Sequence, residues 1–343
     1  MENRKKTKIP GLSLFQTVAL PLIVWLVFEI IDRSFVGTSV ISTIADVKAL
    51  LRTLLTSFSF ALAINTNLTS GRMDLSLGAQ MYLGCILGGN IALYFGLGGA
   101  GVLVLSMLAG GLAGLLIGVL FVNMRILPMV LGLGMTLVFE TMSFSLNNQQ
   151  GLMLFGKQGV SILSDVTFII VVASILVVTM TYLYQYSSFG YKRRAIQGSQ
   201  KLASESGINI FWNCIQCYAL AGVLVACAGV FETAYSGTLT PVMGMSSNLS
   251  VFKNMFPMFL GIWIGSFSHN QIVGVLMGSL SVKLMTMGMS QLALQSSTQS
   301  IIVYMLFLIF TIYRMNINKL HYFSDKRARI KLAKEARMAI QTI

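Results

Sequence analysis

The chain has 343 residues, 55% hydrophobic and 10% charged, with a formal net charge of +13 and a mean hydropathy of +0.77. Roughly a quarter of the residues in a soluble domain are charged, so this composition excludes a soluble globular enzyme, a disordered chain and a disulfide-built secreted module. A helix needs about 20 apolar residues to cross a hydrocarbon core of roughly 30 Å, which leaves room for about ten crossings.

In chain order, Arg4, Lys5, Lys6 and Lys8 precede a first apolar run from Leu12 to Ile31. Its length, and Glu29, Asp32 and Arg33 at its end, read as an uncleaved first crossing and not as a signal peptide. Further crossings are expected at Leu54–Thr69, Leu77–Phe95, Val102–Val122 and Met129–Leu146. A polar loop from Asn147 to Asp165 leads to Phe168–Tyr184. After a basic loop come Trp212–Phe231, Val251–Ile264, Ile272–Met289 and Ile301–Ile312. The prediction is an all-α, polytopic membrane protein of about ten transmembrane helices. It divides into a basic N-terminus (1–11), a membrane domain (12–315) with a cytoplasmic loop at 187–211, and a basic tail (316–343).

The charges orient this map. Four basic residues at the N-terminus, Arg72, Arg125, four in the central loop (Lys192, Arg193, Arg194, Lys201) and eight from Arg314 onward fall on one side, 18 of the 24. Cytoplasmic loops retain Lys and Arg, so both termini are expected in the cytoplasm, which requires an even number of crossings. The same dispersal into short gaps excludes nucleic-acid binding, which concentrates basic residues on one folded face. Cys85, Cys214, Cys217 and Cys227 lie in apolar runs and read as small buried hydrophobes. Gly110, Gly111, Gly114 and Gly118, and Gly274 with Gly278, have the small-residue spacing that lets membrane helices pack closely. From Asp325 a basic run with helical spacing (Ile330, Leu332, Ala333, Ala336) reads as a solvated tail, with an interfacial amphipathic helix as the alternative.

Two segments carry more information. Ser70 to Gly78 sets Arg72, Asp74 and Ser76 between two crossings, close to Asn65 and Asn67. Polar groups at membrane depth are costly and usually functional, while an Asp before a helix also serves as a cap. In the central loop, Ser199 can cap a short helix running through Glu205 that Gly207 ends. Glu140 and Lys283 fall within predicted crossings. Lys283 reads as snorkelling, as paired with Glu140 or Glu232, or as a solute contact.

At these residues the chain resembles the membrane permeases of ABC importers for ribose, galactose, xylose and related solutes. Gly71 to Gly78 (G-R-M-D-L-S-L-G) is similar to the family's G-G-I-D-L-S-V-G. Ala195 to Asn209 keeps Gly198, Ala203, Ser206, Gly207, Ile208 and Asn209 of its cytoplasmic loop. Ala219–Gly229, Leu260-Gly261 and Ile272–Gly278 match in order, so the resemblance spans roughly residues 12–315.

The resemblance implies a type II importer-like bundle in a bacterial plasma membrane. It implies a second permease, identical or not, a separate ABC ATPase that uses ATP and magnesium, and an extracytoplasmic solute-binding protein. No cofactor, metal or catalytic residue belongs to the permease itself. The cargo would be a small polar solute, most readily a monosaccharide, with a nucleoside as the alternative. The translocation pathway would draw on Asn65, Asn67, Asp74, Ser76, Glu140 and Lys283. The ATPase-coupling segment would be Gly198, Ser199, Ala203, Glu205, Ser206, Gly207, Ile208 and Asn209. Departures are Arg72 for glycine, Ile262 after Gly261, and Lys283 where the family has a small or apolar residue. A secondary transporter or channel is the main rival, yet the interior lacks a chain of ionisable groups. An intramembrane enzyme is disfavoured because the only two histidines, His269 and His321, are far apart.

Overall fold

A computed structural model describes residues 10–124, 126–268 and 270–317. The terminal basic segments, Arg125, His269 and His321 lie outside them. Helices α1 (Pro10–Phe35), α2 (Ile44–Leu68), α3 (Leu77–Tyr94), α4 (Gly98–Met124), α5 (Pro128–Ser145) and α6 (Val166–Gln185) form the first half. The short α7 (Ser188–Gly198) and α8 (Gln200–Glu205) follow, then α9 (Ile210–Ser236), α10 (Asn248–Ser268) and α11 (Gln271–Gln291). A last helix, α12, covers Ser296–Ile317. The chain divides into two compact units after Leu294, α1 to α11 in the first and α12 in the second.

Each of the ten expected crossings falls on one long helix, and the central loop holds α7 and α8. Among the described residues, eight helices are long and apolar enough to cross a membrane, and α3 and α10 are less apolar. Gln80 and Asn90 on α3, and Asn248, Lys253 and Asn254 on α10, lower their hydropathy. Both remain full helices, and the 21 residues of α10 span about 31 Å at 1.5 Å per residue. The largest boundary difference is at α2, which begins ten residues before the apolar run does. A capping box causes this: Thr43 Oγ1 accepts from Asp46 N at 3.3 Å while Asp46 Oδ2 accepts from Thr43 N at 2.8 Å. Two donors left open by the helix start are thereby satisfied, and Lys48 and Arg52 become helical. Arg52 then donates to Ser164 O at 2.5 Å.

Glycine governs the packing. A Cβ on Gly222 of α9 would stand 2.1 Å from Gly110 O of α4, and one on Gly114 would stand 2.2 Å from Tyr218 O. The α10–α11 contact is built the same way, since a Cβ on Gly261 would lie 2.4 Å from Val275 Cα and one on Gly274 2.4 Å from Gly261 O. Backbones this close leave no room for side chains, which is how membrane helices gain dispersion contacts without a hydrophobic drive. Gly261 makes this contact, and the neighbouring Ile262, where the family has glycine, is half-buried. By contrast α6 buries only Ile169, Leu176, Met180 and Tyr184, a single stripe, and exposes Val178 and Ile175 as a lipid-facing helix should.

The segments between α5 and α6 and between α9 and α10 meet in a two-residue antiparallel pair, β1 (Leu152–Met153) against β2 (Thr238–Leu239). Beyond it the chain returns to the start of α10 beside the middle of α5. There Glu140, 1% exposed, accepts from Met245 N and Ser247 N, both at 2.8 Å. Non-helical backbone inside a membrane protein persists only where protein groups satisfy it, and a carboxylate is favoured at a helix N-terminus.

Candidate functional site

The segment joining α2 to α3 is buried, and Asp74 organises it. Its Oδ1 accepts from Ser76 N at 2.9 Å and from Ser76 Oγ at 2.5 Å. Its Oδ2 accepts from Gln80 Nε2 at 2.9 Å and Asn67 Nδ2 at 3.4 Å. The carboxylate thus holds the first turn of α3 against the last turn of α2. Ser76, and not Asp74, occupies the cap position of α3, with Asp74 folding back on the residues that follow. Burial pushes the Asp74 carboxyl above its ordinary range, and the hydrogen bonds from Ser76 and Gln80 pull the other way.

Around this node stand buried polar atoms without protein partners: Asn67 Oδ1, Gln80 Oε1, Arg72 Nη1, Asn213 Nδ2 and the Tyr218 hydroxyl. Buried polar atoms are normally bonded, so this concentration marks a place suited to a polar guest or water. Asn65 is fully buried, and neither of its amide atoms has a partner. Arg72, where the family has glycine, is 4% exposed and its guanidinium lies 6.0 Å from the Phe121 ring centroid. Asn65, Asn67, Asp74 and Ser76 therefore share one neighbourhood.

Glu140 and Lys283 do not join them. Glu140 is committed to the backbone before α10 and is not the partner of Lys283. Lys283, half-buried on α11, feels the charges of Glu232 on α9 and Lys253 on α10. Among the described residues no carboxylate comes within 4 Å of it; the one ion pair is Arg33 with Glu29, at 2.6 Å. The three charges come from three helices, of which α10 and α11 pack together, and Glu232 and Lys253 are exposed.

The central loop forms as its cap signals predict. Ser199 Oγ accepts from Leu202 N at 3.3 Å, α8 runs from Gln200 to Glu205, and Gly207 ends it with φ +78°. The turn closes through Ile208 N to Ala203 O and Gly207 N to Ser204 O, both 3.0 Å, an arrangement that needs a left-handed residue and so favours glycine. Asn209 then caps α9, its Oδ1 accepting from Trp212 N at 2.9 Å. Ala203 is buried, whereas Leu202, Ser204, Glu205 and Ser206 are exposed. The helix is anchored by one small residue and presents the rest outward.

Arg193 joins this loop to the node, a role that sequence reasoning missed. It is 2% exposed and donates through Nη2 to Asn65 O at 2.9 Å and to the Thr69 hydroxyl. Its guanidinium stacks 4.2 Å over the Tyr184 ring, and the Tyr184 and Thr66 hydroxyls share a hydrogen bond of 2.5 Å. One arginine of α7 therefore closes the C-terminal carbonyls of α2 at Asn65 and Thr66, shortly before Asp74. Its signal in the sequence was periodicity: Gly190, Arg193 and Ile196, three apart, form the buried face of α7. The neighbouring Lys192 and Arg194 are exposed, and the run as a whole reads as a topology marker.

The family described as "Branched-chain amino acid transport system / permease component" matches residues 47–311. The chain belongs to this family. It is thus a multi-pass permease of the bacterial inner membrane, in the ABC import class. Among curated proteins it is similar to a fructose import permease protein of Rhizobium meliloti, 24% identical over 79% of this chain and 78% of that protein. It also resembles a ribose import permease protein of Bacillus subtilis, 25% identical over 75% of this chain and 80% of that one. A xylose transport system permease protein of Haemophilus influenzae is 30% identical over 40% of this chain and 36% of its own length. No solved structure matches the chain.

Proposed function

We propose that this permease carries a monosaccharide inward, delivered by an extracytoplasmic binding protein and driven by a separate ATPase that uses ATP and magnesium. The observation that supports it best is the capped, exposed α8, joined to α7, whose Arg193 holds the end of α2 beside the buried Asp74 segment. Closure of an ATPase against α8 would displace α7, and Arg193 would carry that displacement to the hinge between α2 and α3. Two packed arrangements exchanging as rigid bodies is a usual form of such switching. Asn65, Asn67, Asp74 and Ser76 then shape the polar interior, while Lys283 on α11 stands apart from them beside the charges of Glu232 and Lys253. The permease supplies no catalytic group, since the work comes from the partner. A second permease, identical or related, completes the pathway.

The family description names branched-chain amino acids, whereas all three relatives are named for sugars, and two of those likenesses span three quarters or more of the chain. Uptake into proteoliposomes containing the assembled importer decides the matter. Labelled fructose, ribose, xylose, a nucleoside and leucine are offered with and without ATP. ATP-dependent uptake of a sugar is the expected result. Uptake that continues without ATP or without an ATPase overturns the coupling, and uptake of leucine alone overturns the cargo class. Gly207→Pro and Glu205→Arg are expected to reduce ATP-driven uptake while leaving membrane insertion unchanged.

A further inference from the structure

Helices α3 and α5 share a core cluster through Ala79, Leu83, Met135 and Phe139. Beside it, between the two helices, lies a lateral trough of about 610 Å³, walled by Leu83, Leu87, Leu137, Val138 and Met142. Among the described residues, its two polar side chains are spent on their own helix, Thr141 Oγ1 donating to Leu137 O and Ser145 Oγ to Thr141 O, each at 2.8 Å. Leu87 and Leu146 continue into a second cavity of about 590 Å³, whose mouth carries Asn90, Gln150, Lys157, Tyr94 and Phe95. Among the described residues, no acidic side chain lines either cavity.

Position, length and polarity agree on one kind of occupant. With the N-terminus inside, α3 ends and α5 ends at the outer face, so the mouth lies at the outer interface. Leu83 to Phe95 covers about 18 Å of helix at 1.5 Å per residue, slightly more than one leaflet of a core roughly 30 Å thick. The trough is apolar for that depth and turns cationic and amide-rich at the level of the headgroups. Tyr94, 86% exposed, and Phe95 stand edge to face at 5.3 Å on the rim, where aromatic side chains favour the membrane interface. A sugar finds no free hydrogen-bonding group in the lower half.

We propose that the α3–α5 trough is a phospholipid site, holding one acyl chain of an outer-leaflet anionic lipid with its phosphate against Lys157. Asn90 and Asn147 are spent within the rim, since both amides donate to Gly151 O at 2.9 Å. Gln150 and Lys157, exposed beside them, are left to meet the headgroup. Occupancy would brace α3 against α5 directly beyond the Asp74 node.

The full-length chain, extracted in detergent and passed into nanodiscs of equal phosphatidylglycerol and phosphatidylcholine, provides the test. Native mass spectrometry reads the lipid that stays bound. The wild type is expected to retain phosphatidylglycerol over phosphatidylcholine by roughly fivefold, the scale of one lysine at an anionic surface. Lys157→Glu is expected to abolish that preference, and Met142→Trp, which fills the trough, to release both lipids. Val138→Trp on the same half-exposed wall serves if Met142→Trp fails to insert. A wild type without preference, or a tryptophan variant that keeps its lipid, overturns the proposal. Loss of self-association with lipid retained also overturns it, by assigning the trough to a second copy of the chain.

Discussion

At the residue scale, the permease concentrates its buried polarity on Asp74 and Arg193. Asp74 accepts four hydrogen bonds, and deleting it strands donors from Asn67, Ser76 and Gln80. Leaving buried donors unpaired costs about 1–3 kcal/mol each. Asp74→Ala is therefore expected to lower thermal stability in detergent by roughly that amount or more. Asp74→Asn keeps an oxygen facing Ser76 and carries no charge to desolvate, so it should cost less; equal losses in the two melting curves would contradict this account. Arg193→Ala opens the α2 terminus and removes the cation from Tyr184, an expected loss of about 3 kcal/mol on the scale of breaking a buried charged contact. Arg193→Lys retains the charge but not the fork, and is expected to melt near the wild type while giving less uptake per ATP hydrolysed. Asp74 was legible from the motif around it. Arg193 was not, because its meaning depends on which face of α7 turns toward α2.

At the element scale, the helix pairs are fixed by absent side chains. Gly222 and Gly110 approach so closely that any larger residue forces α4 and α9 apart, and overpacking a tight core costs at least about 1–3 kcal/mol. Gly222→Leu is expected to abolish folded expression. A Cβ added at Gly134 of α5 would meet nothing within 4 Å, and Gly134→Ala is expected to be neutral or to gain up to about 1 kcal/mol from helix propensity. Size-exclusion profiles and melting temperatures of the two variants would separate packing glycines from incidental ones. The spacing of Gly110, Gly114 and Gly118 in the sequence announced a packing face, but the partner helix, about a hundred residues away, could not be read from it. The early start of α2 was likewise hidden, since hydropathy is blind to a capping box formed by Thr43 and Asp46.

At the scale of the whole molecule, the charge bias sets the orientation and the fold gives it consequences. Placing both termini inside sets the α7–α8 loop, the Asp74 segment and Arg193 toward the cytoplasm, and the β1–β2 pair toward the exterior. The four native cysteines are buried and free, so single cysteines introduced at exposed sites report sidedness directly. A cysteine at Lys157 is expected to react with an impermeant maleimide in intact cells, and one at Lys201 only after the membrane is opened. The reverse pattern would invert the topology and detach α8 from any cytoplasmic partner. Arg33, Lys48, Arg52 and Lys157 on the outer side do not weaken the bias, since 18 of the 24 basic residues are inside. The other buried charges among the described residues are Glu29, Asp32, Arg72 and Glu140. Glu140 pins the start of α10, and Lys283 stands among Glu232 and Lys253.

The sequence by itself determined the membrane class, the ten long helices, their orientation and the capped α8, because hydropathy, charge bias and local cap chemistry act over a few residues. Only the tertiary structure decided that Glu140 serves the backbone before α10, that Arg193 ties the cytoplasmic loop to α2, and that α3 and α5 line a common trough. Those outcomes depend on contacts between residues tens to more than a hundred positions apart, and no local pattern encodes which faces of two helices will meet.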